Sequence, residues 1–168
     1  MPYDSQAMSV QIAGVLNSQL DFQLATAALS RAYSLGWSSG VGANQADKVF
    51  ADQRTIAASG NDDLDLNGVL ADALGVTINL LRVKALLVVA SAANTNNVVM
   101  GGGSNPVTTI MGGTTPTLNI RPGGLMFLLA PDAVAYGVTA ATADILRFSN
   151  SGAGTSVTYD LVIVGASA

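Results

Sequence analysis

The sequence predicts an all-β protein: an antiparallel β-sandwich of jelly-roll-like type, with an irregular or extended N-terminal segment and little helix. Three observations carry this expectation. First, apolar residues recur with period two, most clearly in "SVTYDLVIVG" (Ser156 to Gly165), where Val157, Tyr159, Leu161 and Ile163 share one face. Second, Gly, Asn, Ser and Thr punctuate such runs, giving roughly eight short strands at a spacing of about 8–15 residues. Third, no helix-length amphipathic segments alternate with these runs, as a doubly wound α/β sheet would require.

Taken in order, residues 1–42 are the least regular and are expected to form an N-terminal arm or the first strands, with a β-sandwich domain over 43–168; a single domain over 1–168 is the other division. Within that segment "DFQLATAALSRAYSLGW" (Asp21 to Trp37) has the Ala and Leu content of a helix, but small and large residues alternate through its second half, which favours a strand. Asp47 to Ser59 is a strand candidate, and "DDLDLNG" (Asp62 to Gly68) places Leu64 and Leu66 inward before an Asn-Gly turn. "NGVLADALG" (Asn67 to Gly75) is expected to make one or two helical turns, capped by Asn67 and stopped by Gly75. "TINLLRVKALLVVASA" (Thr77 to Ala92) has the length of one or two strands, and Asn96 to Gly102 of one more. "GGGSNPVTTIMGGTTPT" (Gly101 to Thr117) reads as a long contact loop. "GGLMFLLAP" (Gly123 to Pro131), bounded by Gly and Pro, suits a core strand. "DILRFSN" (Asp144 to Asn150) and the final strand are joined by "SGAGT", which reads as a hairpin-like connection.

Composition narrows the chemistry. Charged residues make up only 11% against 49% hydrophobic, far below the roughly 25% charged of an ordinary soluble domain. Such a chain has too few charges to cover a monomer, so part of its exterior is expected to be buried against other chains, as a homo-oligomer or on a partner. No apolar run reaches the roughly 18 residues of a membrane span, and "MPYDSQAMSV" lacks a basic region followed by an apolar core, so neither a membrane nor a secretory signal is expected. A net charge of −4 with scattered basic residues offers no footprint for nucleic acid. Cysteine, histidine and glutamate are absent. An enzyme would have to work with aspartate, lysine or tyrosine alone, so catalytic residues, cofactors and metal ligands are all expected to be lacking.

The strongest apparent motif argues the same way. From Asp63 the chain spells D-x-D-x-N-G, the opening of a calcium-binding loop, which needs a bidentate Glu at its twelfth position. That position is Leu74, and Leu64 and Leu66 alternate with the acids as in a half-buried strand. The glycine runs at Gly101 to Gly103 and Gly152 to Thr155 neither precede Lys-Ser/Thr nor open a helix, and read as turns. Asp47, Lys48, Asp52 and Arg54 read as a solvated or inter-subunit ion-pair set. The candidate functional residues are therefore interface residues: Tyr33 and Trp37, four apart, as core packing or a docking anchor; Arg82 and Lys84 as a solvent-facing or interface pair; and Asp63 and Asp65 as acids available to a neighbouring subunit.

The stretches "RTIAAS", "DLDLNGVLADALG", "RVKAL", "RPGG", "LLAPDA", "ADILRFSNSGAGT" and "TYDLVIVG", over about residues 40–165, resemble a group of small structural proteins of tailed bacteriophages and prophages. The resemblance implies a non-enzymatic virion component. The nearest role is a jelly-roll capsid decoration (cement) protein on the capsid exterior, assembled in the host cytoplasm, with the major capsid protein as partner. A tail, baseplate or fibre component, one that recognises a host surface included, is the alternative. A carbohydrate-binding module or hydrolase is disfavoured by 5% aromatics and the missing glutamate.

Overall fold

Because Val157, Tyr159, Leu161 and Ile163 are buried while Asp160 between them is exposed, the final strand lies half-buried, as its period requires. The computed structural model describes residues 6–168. Residues 1–5 of the expected N-terminal segment lie outside the described residues. The chain opens with β1 (Gln6–Gln19) and β2 (Leu24–Ser39), then β3 (Gln45–Ala46), β4 (Lys48–Ile56), β5 (Asn61–Asp65), β6 (Asn67–Ala71) and β7 (Thr77–Asn79). There follow β8 (Arg82–Ala90), β9 (Val98–Gly101), a single helical turn α1 (Thr108–Met111), β10 (Thr117–Ile120), β11 (Leu125–Leu129), β12 (Tyr136–Gly137), β13 (Ile145–Asn150) and β14 (Val157–Ala166).

These strands make an all-β fold of sheets that are antiparallel apart from the short parallel pairing of β2 with β3. One sheet runs β10-β9-β13-β5, and the other β11-β8-β14-β4, with β12 added beside β8. Their facing sides form one core: Leu64, Met100, Leu146 and Phe148 from the first sheet meet Phe50, Leu86, Val88, Tyr159, Leu161 and Ile163 from the second. The Phe148 and Tyr159 rings meet across it at 4.7 Å between centroids, tilted by 35°, a spacing at which aromatic pairs gain beyond simple burial.

Several local expectations change. "SGAGT" is no hairpin: β13 pairs with β5 and β9, whereas β14 pairs with β4 and β8, so this loop carries the chain from one sheet to the other. Asn150 holds it, donating to the carbonyls of Ala57 and Thr155 and accepting from the Gly152 amide. Asn67 to Gly75 is not helical; β6 and β7 form a small antiparallel hairpin. Extended pairing lets Leu70 and Ile78 both enter the core, and the Asp72 carboxylate accepts the Leu74 and Val76 amides at the turn, each at 2.9 Å. The Asn-Gly pair therefore opens a strand rather than closing one. The apolar run Leu125–Leu129 is an edge strand, with its outer side chains partly exposed, not a core strand. The Gly101 to Thr117 segment holds α1, ended by Gly112 in the left-handed region with its amide bonded to the Thr108 carbonyl. The second half of the Asp21 to Trp37 stretch is a strand, as its alternation favoured.

Candidate functional site

The feature that stands apart from the sandwich is the hairpin of β1 and β2, paired antiparallel from Gln6↔Trp37 to Gln19↔Leu24. It is closed by a tight turn in which the Leu20 amide bonds the Gln23 carbonyl at 2.8 Å, with Phe22 wholly exposed at the tip. Directly opposed residues of an antiparallel pair share a face. One face therefore carries Met8/Leu35, Val10/Tyr33, Ile12/Arg31, Gly14/Leu29 and Leu16/Ala27, and continues to Trp37. The other carries Ser9/Ser34, Gln11/Ala32, Ala13/Ser30, Val15/Ala28, Asn17/Thr26 and Gln19/Leu24. The hairpin thus has a large-apolar face and one that is mostly small or polar, with Val15 and Leu24 as its exposed large apolar residues.

Only the base of the apolar face is covered. Trp37 is 2% exposed and packs with Ala46, Ala85 and Val164, with Met8, Leu35, Phe127 and Val162 around them. Its indole N–H is buried with no hydrogen-bond partner among the described residues. Four residues away on the same face, Tyr33 is 72% exposed. Beyond it Ile12 and Leu16 are 63% and 76% exposed, and Leu29 is also exposed. Where arm and body part, Met8, Val10, Tyr33, Leu35, Phe127 and Leu129 line an apolar groove of about 230 Å³. Of the aromatic pair picked out in the sequence, Trp37 is internal and Tyr33 is at the surface.

Lys84 is not on the surface either. It is fully buried where the β8–β14 pairing shifts register, and its ammonium donates to the Gly42 and Asp132 carbonyls. Burial pulls its pKa below the usual lysine value, against the nearby Asp132 charge. The amine ties the segment following the hairpin to the loop after β11. Arg82 lies apart from it, with its guanidinium on the carboxyl-terminal Ala168 carbonyl.

The acids of "DDLDLNG" are engaged within the chain. Asp63 receives both a 2.6 Å bond from Arg147 Nε and one of the same length from Arg147 Nη2 across the β13–β5 pairing. Asp65 accepts the Asn67 amide at 2.9 Å. Asp62 takes the most: Arg54 Nε at 2.5 Å, Arg54 Nη2 at 2.9 Å and the Tyr159 hydroxyl at 2.8 Å. Partial burial pushes the Asp62 carboxyl upward, but the Arg54 and Tyr159 hydrogen bonds outweigh it and hold the pKa below the usual carboxylate value. Burial and the same carboxylate raise the Tyr159 pKa. Arg54 also bonds Asp52 at 2.9 Å, while Asp47 accepts from the Ser167 amide and hydroxyl. These clusters close on themselves and brace strand ends.

Sequence reasoning did not connect Asp62 with Arg54 and Tyr159, since Tyr159 is 97 residues away and joins only across the sandwich. The hairpin's apolar face was partly legible: Leu29, Arg31, Tyr33, Leu35 and Trp37 occupy every second position of β2. The fold and its surfaces define an antiparallel β-sandwich bearing a projecting, apolar-faced arm. Comparison of the chain with protein-family models, curated proteins and solved structures gave no match.

Proposed function

We propose that this chain is a non-enzymatic structural protein of a tailed-bacteriophage virion: a capsid decoration protein that binds the outer lattice and stabilises contacts between major capsid subunits. The observation that carries this reading is the β1–β2 hairpin. A two-stranded ribbon is at best marginally stable alone in water, and this one leaves Val10, Ile12, Leu16, Leu29 and Tyr33 exposed on one face. A surface of that kind is suited to burial in an assembly, where modest contacts repeat over many copies. The motif resemblance to phage structural proteins points the same way.

A jelly-roll scaffold is supported by strand order. Setting aside the arm and the short strands, β4, β5, β8, β9, β10, β11, β13 and β14 are nested so that the first lies beside the last, the second beside the last but one, the third beside the sixth and the fourth beside the fifth. That nesting is the arrangement produced by rolling up two Greek keys.

The test is quantified mass spectrometry of separated heads and tails, with a particle reconstruction to locate the chain. A decoration protein is expected in hundreds of copies per particle and on tail-less heads. Recovery only in the tail fraction would overturn the reading in favour of a tail or baseplate component.

A further inference from the structure

The body carries a second apolar surface, on the outer side of the β11-β8-β14-β4 sheet. Register sets its rows: Leu129–Ala85–Val164–Val49, then Phe127–Leu87–Val162–Ala51, then Leu125–Val89–Asp160–Gln53. The hairpin base covers the first of these rows and part of the second through Trp37, Met8 and Leu35. The rest is open, with Leu125 66% exposed and Ala51, Asp160 and Gln53 also exposed. One chain therefore presents an uncovered apolar ribbon and an open sheet face that is apolar over Leu87, Val89 and Leu125 and polar at Asp160 and Gln53, both continuous with the same small cluster around Trp37.

Their charges are complementary. The apolar face of the ribbon holds one cation, Arg31, which makes no ion pair among the described residues. The open sheet face holds one anion, Asp160, which accepts a bond from Gln53 Nε2 at 2.8 Å and has no cation partner among the described residues. A lone charge on an apolar surface destined for burial needs a counter-charge from the surface that covers it.

We propose that the apolar face of the hairpin seats on the open outer sheet face of a second copy of this chain, with Arg31 paired to Asp160 of the partner subunit, and that the exchange is reciprocal. The area allows this. The ribbon beyond its base, Val10 to Gln19, is about 34 Å long at 3.4 Å per residue, and two strands 4.8 Å apart make it about 10 Å wide. A contact along the whole ribbon would bury at most about 700 Å² over both surfaces, and two such contacts at most about 1,400 Å², an upper bound because the four-stranded face is only about 19 Å across. An isologous contact of this kind also closes, so it ends at two copies rather than propagating. The proposal concerns the isolated chain and does not rest on the virion reading; a dimer found in a tail component would leave it standing.

The test uses the purified full-length chain by light scattering and sedimentation, with circular dichroism as the check on folding. Wild type is expected to be a dimer. The double change Ile12→Asp with Leu16→Asp is expected to give a folded monomer, since both side chains project away from the chain's own core. Arg31→Glu and Asp160→Arg are each expected to weaken dimerisation at least tenfold, and the two changes combined in one chain to restore it. A monomeric wild type overturns the proposal and leaves another protein as the arm's occupant. A dimer disrupted by the arm changes but indifferent to Asp160→Arg overturns it in favour of arm-to-arm contact.

Discussion

Asp62→Asn separates the internal ion cluster from ordinary surface charge. Asp62 accepts three hydrogen bonds, two from Arg54 and one from Tyr159, and the Arg54 and Asp62 side chains are only 29% and 16% exposed. Hydrogen bonds to a charged group contribute about 1.5–3 kcal/mol each, but the loss is less than their sum. An amide still accepts from one donor, Arg54 keeps Asp52 at 2.9 Å, and the cost of desolvating a carboxylate disappears. A net loss of about 2–3 kcal/mol remains, which for a chain of this length lowers Tm by about 4–12 °C. The pH dependence carries the sign. The folded pKa of Asp62 is depressed, so its stabilisation is present above the unfolded value near 3.9 and is lost as pH falls through the folded value. Urea midpoints of wild type and variant, read by circular dichroism, are expected to differ most near neutral pH and to converge as pH falls through the depressed folded pKa of Asp62. Because both proteins keep every other carboxylate, the difference isolates this one. A gap that stays constant with pH, or a variant as stable as wild type at neutral pH, would refute the assignment.

The neighbouring pair Asp63–Arg147 has equally short bonds but lies in solvent, with the carboxylate 39% exposed. Arg147→Ala is expected to cost less than about 1 kcal/mol and to cost less still in high salt, measured by the same urea titration. Trp37 is the only tryptophan of the chain and is buried where the arm joins the body. Its emission is expected to be blue-shifted in the folded protein and to move red on unfolding, and Trp37→Ala to cost about 3–5 kcal/mol by circular dichroism. An emission maximum typical of exposed indole in the folded chain would contradict the packing.

The sequence by itself determined the class of fold and the inward residues of its strongest strands. Period two needs no partner to be visible: Leu64 and Leu66, or Tyr159, Leu161 and Ile163, have a buried face whatever sheet receives them. It also determined the fate of "DDLDLNG" as a strand whose leucines point inward. Tertiary structure alone decided which strands pair. "SGAGT" has the letters of a hairpin, yet Phe148 and Tyr159 bury their rings against each other from opposite sheets, which the loop must span. Asn67 to Gly75 has the letters of a helix, yet a hairpin buries both Leu70 and Ile78. Lys84 reads as a surface charge, because lysine is rarely buried; only the fold brings the Gly42 and Asp132 carbonyls to its ammonium. Tyr33 and Trp37 are equivalent by spacing, and what separates them is where the body ends beneath the arm. Alternation along a strand is a local property, while the covering of a face depends on segments distant in the chain.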